Sequence, residues 1–249
     1  EMLAVARDLQ DKIPTYADDM NPWARKFGVA ITTSRLKSRR ARPVPPPSAT
    51  DRLVVLPAAG LGGIVGQAIA HLGGADAAFG ALLRVEGASP HALDGQRGLL
   101  LPVDEEALVR KAVEHAPEAA LRIVLTRGRF PDNWFSHWDE PRRTAVVSMA
   151  DWDGALAVPA AAFVAYEIVR HGLRLVSSAY GPERLMHAEA RGCLFDLCET
   201  RADIETKLRQ GGLCPACARE LEVAGVSATR ALRLMEAIRF LATAALVVH

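Results

Sequence analysis

What this chain lacks narrows its class before any motif is read. It has almost no net charge: 30 Lys and Arg against 29 Asp and Glu leave +1 with the histidines neutral. Bulk electrostatics therefore gives no reason to expect nucleic-acid binding. Long apolar runs are missing as well. The strongest, FLATAALVV at 240–248, is well short of the ~20 residues of a membrane span and follows a charged helical stretch. No secretory leader is visible, and the chain opens on Glu1 rather than Met, so it reads as a trimmed chain or a piece of a longer protein. Cysteine is scarce: four residues, all inside 193–217. A reducing compartment is the expectation, a bacterial cytoplasm in view of the Leu, Ala, Arg and Gly usage of a GC-rich genome. Half of the 249 residues are apolar, enough for one domain with a large core plus extensions.

The four cysteines come as C-x4-C, a gap of fifteen, then C-x2-C: Cys193, Cys198, Cys214 and Cys217. Two short pairs make two turns whose sulfurs point the same way, and a tetrahedral zinc ion joins them. The reading is one structural Zn2+. Four unrelated buried thiols, or a disulfide pair, are the alternatives.

Along the chain, a helical stripe at 2–13 ends at Pro14, and 29–33 is strand-like. The basic run RLKSRRAR, from Arg35 to Arg42, leads into PVPPPS, which is neither helix nor central strand. Together they read as a solvated connector, so residues 1–50 are an N-terminal arm and linker. Short apolar strands are expected at 53–56, 82–85, 98–103, 121–126 and 144–149, with a helix capped by Asp104 and running to about His115. Gly60, Gly62 and Gly66 after the first strand, with Glu86 beyond the next, invite a dinucleotide reading. The spacing is G-x-G-x-x-x-G and the later βαβ pattern is missing, so a glycine-rich turn in an α/β layer is preferred. Pro159 opens an apolar core helix, FVAYEIVRHGL, and a charged helix spans 203–209 between the cysteine pairs. Alternating strands and helices make this an α/β domain, 51–225. A last helix, 226–249, is broken from the preceding one at Gly225 and carries Leu232, Met235, Ile238, Leu241 and Leu246 on one side.

This order of elements, closing on GCLFDLC…LCPAC, resembles the archaemetzincin family of metallopeptidases over roughly 53–221. In that family a core helix carries HExxH with a third His just beyond, and a C-x4-C-x-M stretch with a C-x2-C binds a second, structural zinc. Cys193, Cys198, Cys214 and Cys217 match that four-cysteine site in order and approximate spacing, and Asp203, Lys207, Arg209 and Leu221 stand where the family often has similar residues. The resemblance implies a metzincin-like mixed sheet with helices, a C-terminal zinc knuckle and a terminal helix. It fails at the catalytic helix. Where the family has HExxH, this chain has Tyr166-Glu167-Ile168-Val169-Arg170, followed by His171. Two imidazoles one turn apart are needed to hold a catalytic metal on one helix face, and arginine stays protonated and repels a cation. The expectation is a non-peptidase binding or regulatory module, with Tyr166 filling the first ligand's space and Glu167 ion-paired to Arg170.

A rival reading starts from His187-Ala188-Glu189, which with Cys214 and Cys217 spells the H-x-E…C-x-x-C of zinc nucleoside and base deaminases. Against it, Pro215 follows the first cysteine of the pair instead of preceding it, and Cys193 and Cys198 are left without a role. Candidate catalytic residues are thus Glu167, His171, His187 and Glu189. The loop 132–139 packs Trp134, Phe135, His137 and Trp138 between two aspartates, a composition that either binds something or plugs a core. The expected partner is a protein or a small ligand, with nucleic acid left only to the basic run.

Overall fold

The computed structural model describes residues 52–84, 103–132, 134–150, 152, 158–176, 185–187, 191–198 and 200–244. The N-terminal arm, the linker, Glu86, Glu189 and most of the expected strand at 98–103 lie outside them. Among the described residues there are five strands: β1 (Leu53–Pro57), β2 (Leu83–Arg84), β3 (Leu121–Thr126), β4 (Ser136–Asp139) and β5 (Thr144–Ser148). The helices are α1 (Gly62–Ala75), α2 (Ala77–Leu82), α3 (Glu105–His115), α4 (Ala160–Val176), α5 (Arg201–Gln210), α6 (Pro215–Val223) and α7 (Ala228–Ala244).

The strands form one mixed sheet in the order β2-β1-β3-β5-β4, in which β4 alone runs antiparallel, against β5. This is the α/β architecture expected. The period-two alternation of a strand sends Leu53, Val55, Ile123, Leu125 and Val147 into the larger core beneath α1 and α4. Val54, Leu56, Val124 and Val146 point the other way, onto Leu108, Val109 and Ala112 of α3. With both faces covered, the central strands read as continuous apolar runs. Arg122 is the exception within β3. Its guanidinium is buried and donates to the carbonyls of Ala116, Pro117 and Arg142 at 2.7, 2.9 and 3.1 Å, so its donors face acceptors in the loops that lead into β3 and β5.

Two expectations need correction. The stretch read as a long polar loop contains β4: its register pairs His137 with Val146 and Trp138 with Ala145, and Phe135 turns inward beside it. A four-residue polar edge strand has too little apolar periodicity to announce itself. The terminal helix is also rotated from the expected stripe. Ala231, Leu234, Met235, Ile238 and Leu241 are buried, whereas Leu232 is exposed. The face packs on α4, α1, α5 and α6 of this chain, and Arg230 anchors it by Nε–Oδ2 of Asp76, 2.7 Å.

Helix α4 is the centre of the arrangement. From Ala161 to Val169 every side chain is buried, so the helix is covered on all sides, as its apolar character demands. Gly172 permits the close fit with α2: a Cβ there would stand 2.7 Å from Phe79 Cζ.

Candidate functional site

The cysteine cluster is built by local turns. Cys214 is the N-cap of α6, its sulfur accepts the Cys217 N–H at 3.4 Å, and Pro215 occupies the first helical turn. C-P-x-C is therefore a helix start as well as a ligand pair, and a helix N-terminus favours a thiolate. On the other side, Asp196 Oδ2 accepts the N–H groups of Arg191 and Cys193 at 2.7 and 2.8 Å, closing the turn that carries Cys193. Bonds from Leu194 N to Gly212 O and from Gly212 N to Gly192 O, 2.8 and 2.7 Å, bring that turn beside Cys214, whose N–H points at Cys193 Sγ at 3.4 Å.

Three of the four expected cysteines converge in this way, and the fourth does not. His187 takes the remaining place. The donor atoms of His187, Cys193, Cys214 and Cys217 all lie within 4.8 Å of one another, and His187 Nε2 is 3.0 Å from Cys217 Sγ and 3.2 Å from Cys214 Sγ. Cys198 sits elsewhere, with Lys207 near its sulfur and Arg170 and Glu167 contributing to its electrostatics; burial raises its pKa. The reason is backbone pairing. After the Cys193 turn the chain runs as a parallel bridge with 187, through His187 N to Phe195 O and Leu197 N to His187 O at 3.1 and 2.7 Å. That pairing carries the imidazole to the sulfurs and takes residue 198 past them. Sequence spacing singles out His187 only for the rival deaminase chemistry.

The donor set fits zinc. Ligands at about 2.3 Å on a tetrahedron stand roughly 3.7 Å apart, which matches this convergence. The titration of the thiols points the same way. The Cys217 thiol donates to Cys193, lowering Cys193 to about 5, while that same bond and burial raise Cys217. One thiolate is accommodated and the next is opposed, a conflict that a divalent cation among the sulfurs removes.

The second element is α4. Tyr166, Glu167 and Arg170 lie on it at the floor of a cleft, and His171 follows in the next turn, buried behind them. Tyr166 is buried and donates its hydroxyl to Leu194 O at 3.2 Å, and burial pushes its pKa up. Glu167 is 1% exposed; Arg170 Nη1 reaches its Oε1 at 3.2 Å, the ion pair expected. Burial works against the carboxylate, but Arg170 and His171 together hold it below the ordinary range. His171 Nε2 stands 3.3 Å from Glu167 Oε2, and the imidazole stacks on Trp138 at 5.5 Å. Its burial, with Arg170 adding to it, lowers its pKa to about 4, so it is neutral near pH 7. His137 is held across the cleft, Nδ1 to Glu105 at 2.7 Å and Nε2 to Asp132 at 3.0 Å, and stacks on Phe130. Among the described residues neither His137 nor His171 belongs to a group of three metal-type donors.

These features define a class: an α/β domain with a closed Cys3His metal-type knuckle beside a core helix that has Tyr166 and Arg170 where an HExxH helix has its histidines. No family model matches the sequence, and no curated protein matches it. Two solved structures are similar to it. One is archaemetzincin from Methanopyrus kandleri, 19% identical, covering 73% of this chain and 98% of its own, with a TM-score of 0.43. The other is a zinc-dependent peptidase from Methanocorpusculum labreanum (strain Z), 14% identical, covering 68% of this chain and 99% of its own, with a TM-score of 0.40. No helix among the described residues is long and apolar enough to cross a membrane.

Proposed function

We propose that this chain is a zinc-stabilised, metzincin-like domain without a peptidase centre, acting as a binding module whose ligand enters the cleft above α4. The observation that carries this reading is the buried Glu167–Arg170 pair at 3.2 Å. A general base must keep a carboxylate open to the proton it takes. Here the only residue matching HExxH is closed off by a permanent cation one turn away. A bacterial cytoplasm suits the four unpaired cysteines.

The test combines elemental analysis with peptide cleavage. One zinc per chain and no cleavage of general peptide substrates are expected, and the double substitution Tyr166→His with Arg170→His should raise zinc uptake toward two. Two zinc ions in the unmutated protein, the second lost on Glu167→Ala or His171→Ala, would return the chain to the metallopeptidases.

One observation favours a second reading. His187, Cys214 and Cys217, the metal set of a deaminase-type hydrolase, do converge. Cys193 stands against it by closing the fourth position that a catalytic site leaves to water. A metal retained after Cys193→Ser, with cytidine or adenosine deamination, would support the hydrolase.

A further inference from the structure

Two cavities meet above α4. The wider, about 420 Å³, is walled by Trp134, Trp138, Met186 and Leu197. A narrow void of about 50 Å³ lies next to it, and Trp134, Ser136, Arg170, Arg174, Met186 and Leu197 line both. The site is thus a broad aromatic mouth over a small end whose shared cations, Arg170 and Arg174, stand one helical turn apart.

We propose that this cleft binds a small carboxylate carried on a flat apolar body, an inference that rests on the cleft being a binding site at all. Most of the carboxylates near it are engaged. Glu105 and Asp132 hold the two nitrogens of His137, Glu167 holds Arg170, and Asp196 Oδ2 accepts two backbone N–H groups, while the buried Asp196 Oδ1 has no hydrogen-bond partner among the described residues. The guanidinium of Arg170 is incompletely satisfied. Its Nη2 has a long 3.3 Å contact to Ser136 Oγ, and its buried Nε meets no acceptor among the described residues. A guanidinium's planar fork matches a carboxylate, and the void has room for a head group of that size rather than for a ring. Indole faces then take the flat body, with Trp134 40% exposed at the mouth.

The experiment is calorimetric titration of the whole chain, paired with tryptophan fluorescence, using phenylacetate, its neutral isostere phenylacetamide, and N-acetylphenylalanine. Phenylacetate should bind about tenfold or more tighter than phenylacetamide, as expected for a charge-assisted bond. Arg174→Met should weaken phenylacetate by a similar factor with zinc content unchanged. Should Arg174→Met lower the melting temperature, Trp134→Ala at the exposed mouth is the reading variant, and it too should weaken binding. N-acetylphenylalanine binding more tightly than phenylacetate would identify the carboxylate as a peptide terminus; the reverse order would identify a free acid. Equal binding of acid and amide, or unchanged affinity in folded variants, overturns the anion class while leaving a binding cleft. Silence of all three probes overturns the binding reading as well.

Discussion

Exchanging Cys198 for serine should leave the metal in place, whereas exchanging His187 for alanine should release or severely weaken it. The contrast follows from which donor reaches the sulfurs: His187 Nε2 lies 3.0 and 3.2 Å from two of them, and Cys198 is outside the cluster beside Lys207. The magnitudes differ widely. A structural zinc of this donor type contributes about 10–16 kcal/mol of binding that is also folding free energy, against a total stability of about 5–15 kcal/mol for a domain. A protein that loses it should lose the packing of Cys193, Leu194, Phe195 and Cys217, all nearly fully buried. Serine at 198 keeps a hydrogen-bonding group near Lys207 and should cost about 1 kcal/mol. Elemental analysis, the visible spectrum of the cobalt-substituted protein and limited proteolysis between 190 and 220 read the outcome. Three sulfurs and one nitrogen give a different ligand-field spectrum from four sulfurs. If Cys198→Ser loses the metal and His187→Ala keeps it, the assignment is wrong and the four cysteines are the ligands.

Four further outcomes are expected. His171 is buried with its pKa lowered to about 4, while an unfolded histidine takes its proton near 6.5, so stability is full above about 6.5 and falls toward pH 4 by up to about 1.4 kcal/mol per unit. A melting temperature that falls as steeply over that window in His171→Gln would show that another group is responsible. Asp76 is held low despite its burial, by the Phe79 N–H and by Arg230. Arg230→Met should therefore cost about 1–3 kcal/mol near neutral pH, and the gap to wild type should close as acid protonates Asp76; a pH-independent gap would refute the pairing. Gly172→Ala places a Cβ 2.7 Å from Phe79 Cζ and 3.3 Å from Leu53 Cδ1, so denaturant titration should record a loss of about 1–3 kcal/mol. A chain beginning near Thr50 should stay soluble and keep its zinc; aggregation would mean that the arm covers core surface.

Much of the fold was legible for a physical reason. Strands β3 and β5 are buried on both faces and are written as continuous apolar runs, and α4 is apolar almost all round. Asp104 stands where the helix start needs an acceptor, and its Oδ1 does accept the Ala107 N–H at 3.0 Å. What stayed hidden depends on tertiary pairing. Strand β4 exists because β5 offers it an edge. The rotation of α7 is set by α4 and α1, not by its own periodicity. His187 joins the cysteines through a bridge to Asp196 that no spacing in the chain encodes, whereas Cys198 satisfies the spacing and is carried away by the same bridge. The ion pair on α4 was readable because residues three apart on a helix are neighbours whatever surrounds them.

The same bridge has a thermodynamic consequence. Met186 and Leu197 form one wall of the cleft, and both are fixed to His187, one as its chain neighbour and the other by its N–H on the His187 carbonyl at 2.7 Å. Metal on His187 would then order that wall in advance, so a cleft ligand would meet a surface whose entropy has already been lost. Linkage requires the effect to be mutual: whatever factor the metal adds to ligand affinity, the ligand adds to metal affinity. Chelator titrations with and without phenylacetate would measure that single factor from either side, and a value of one would mean that the knuckle and the cleft share a wall without sharing an equilibrium.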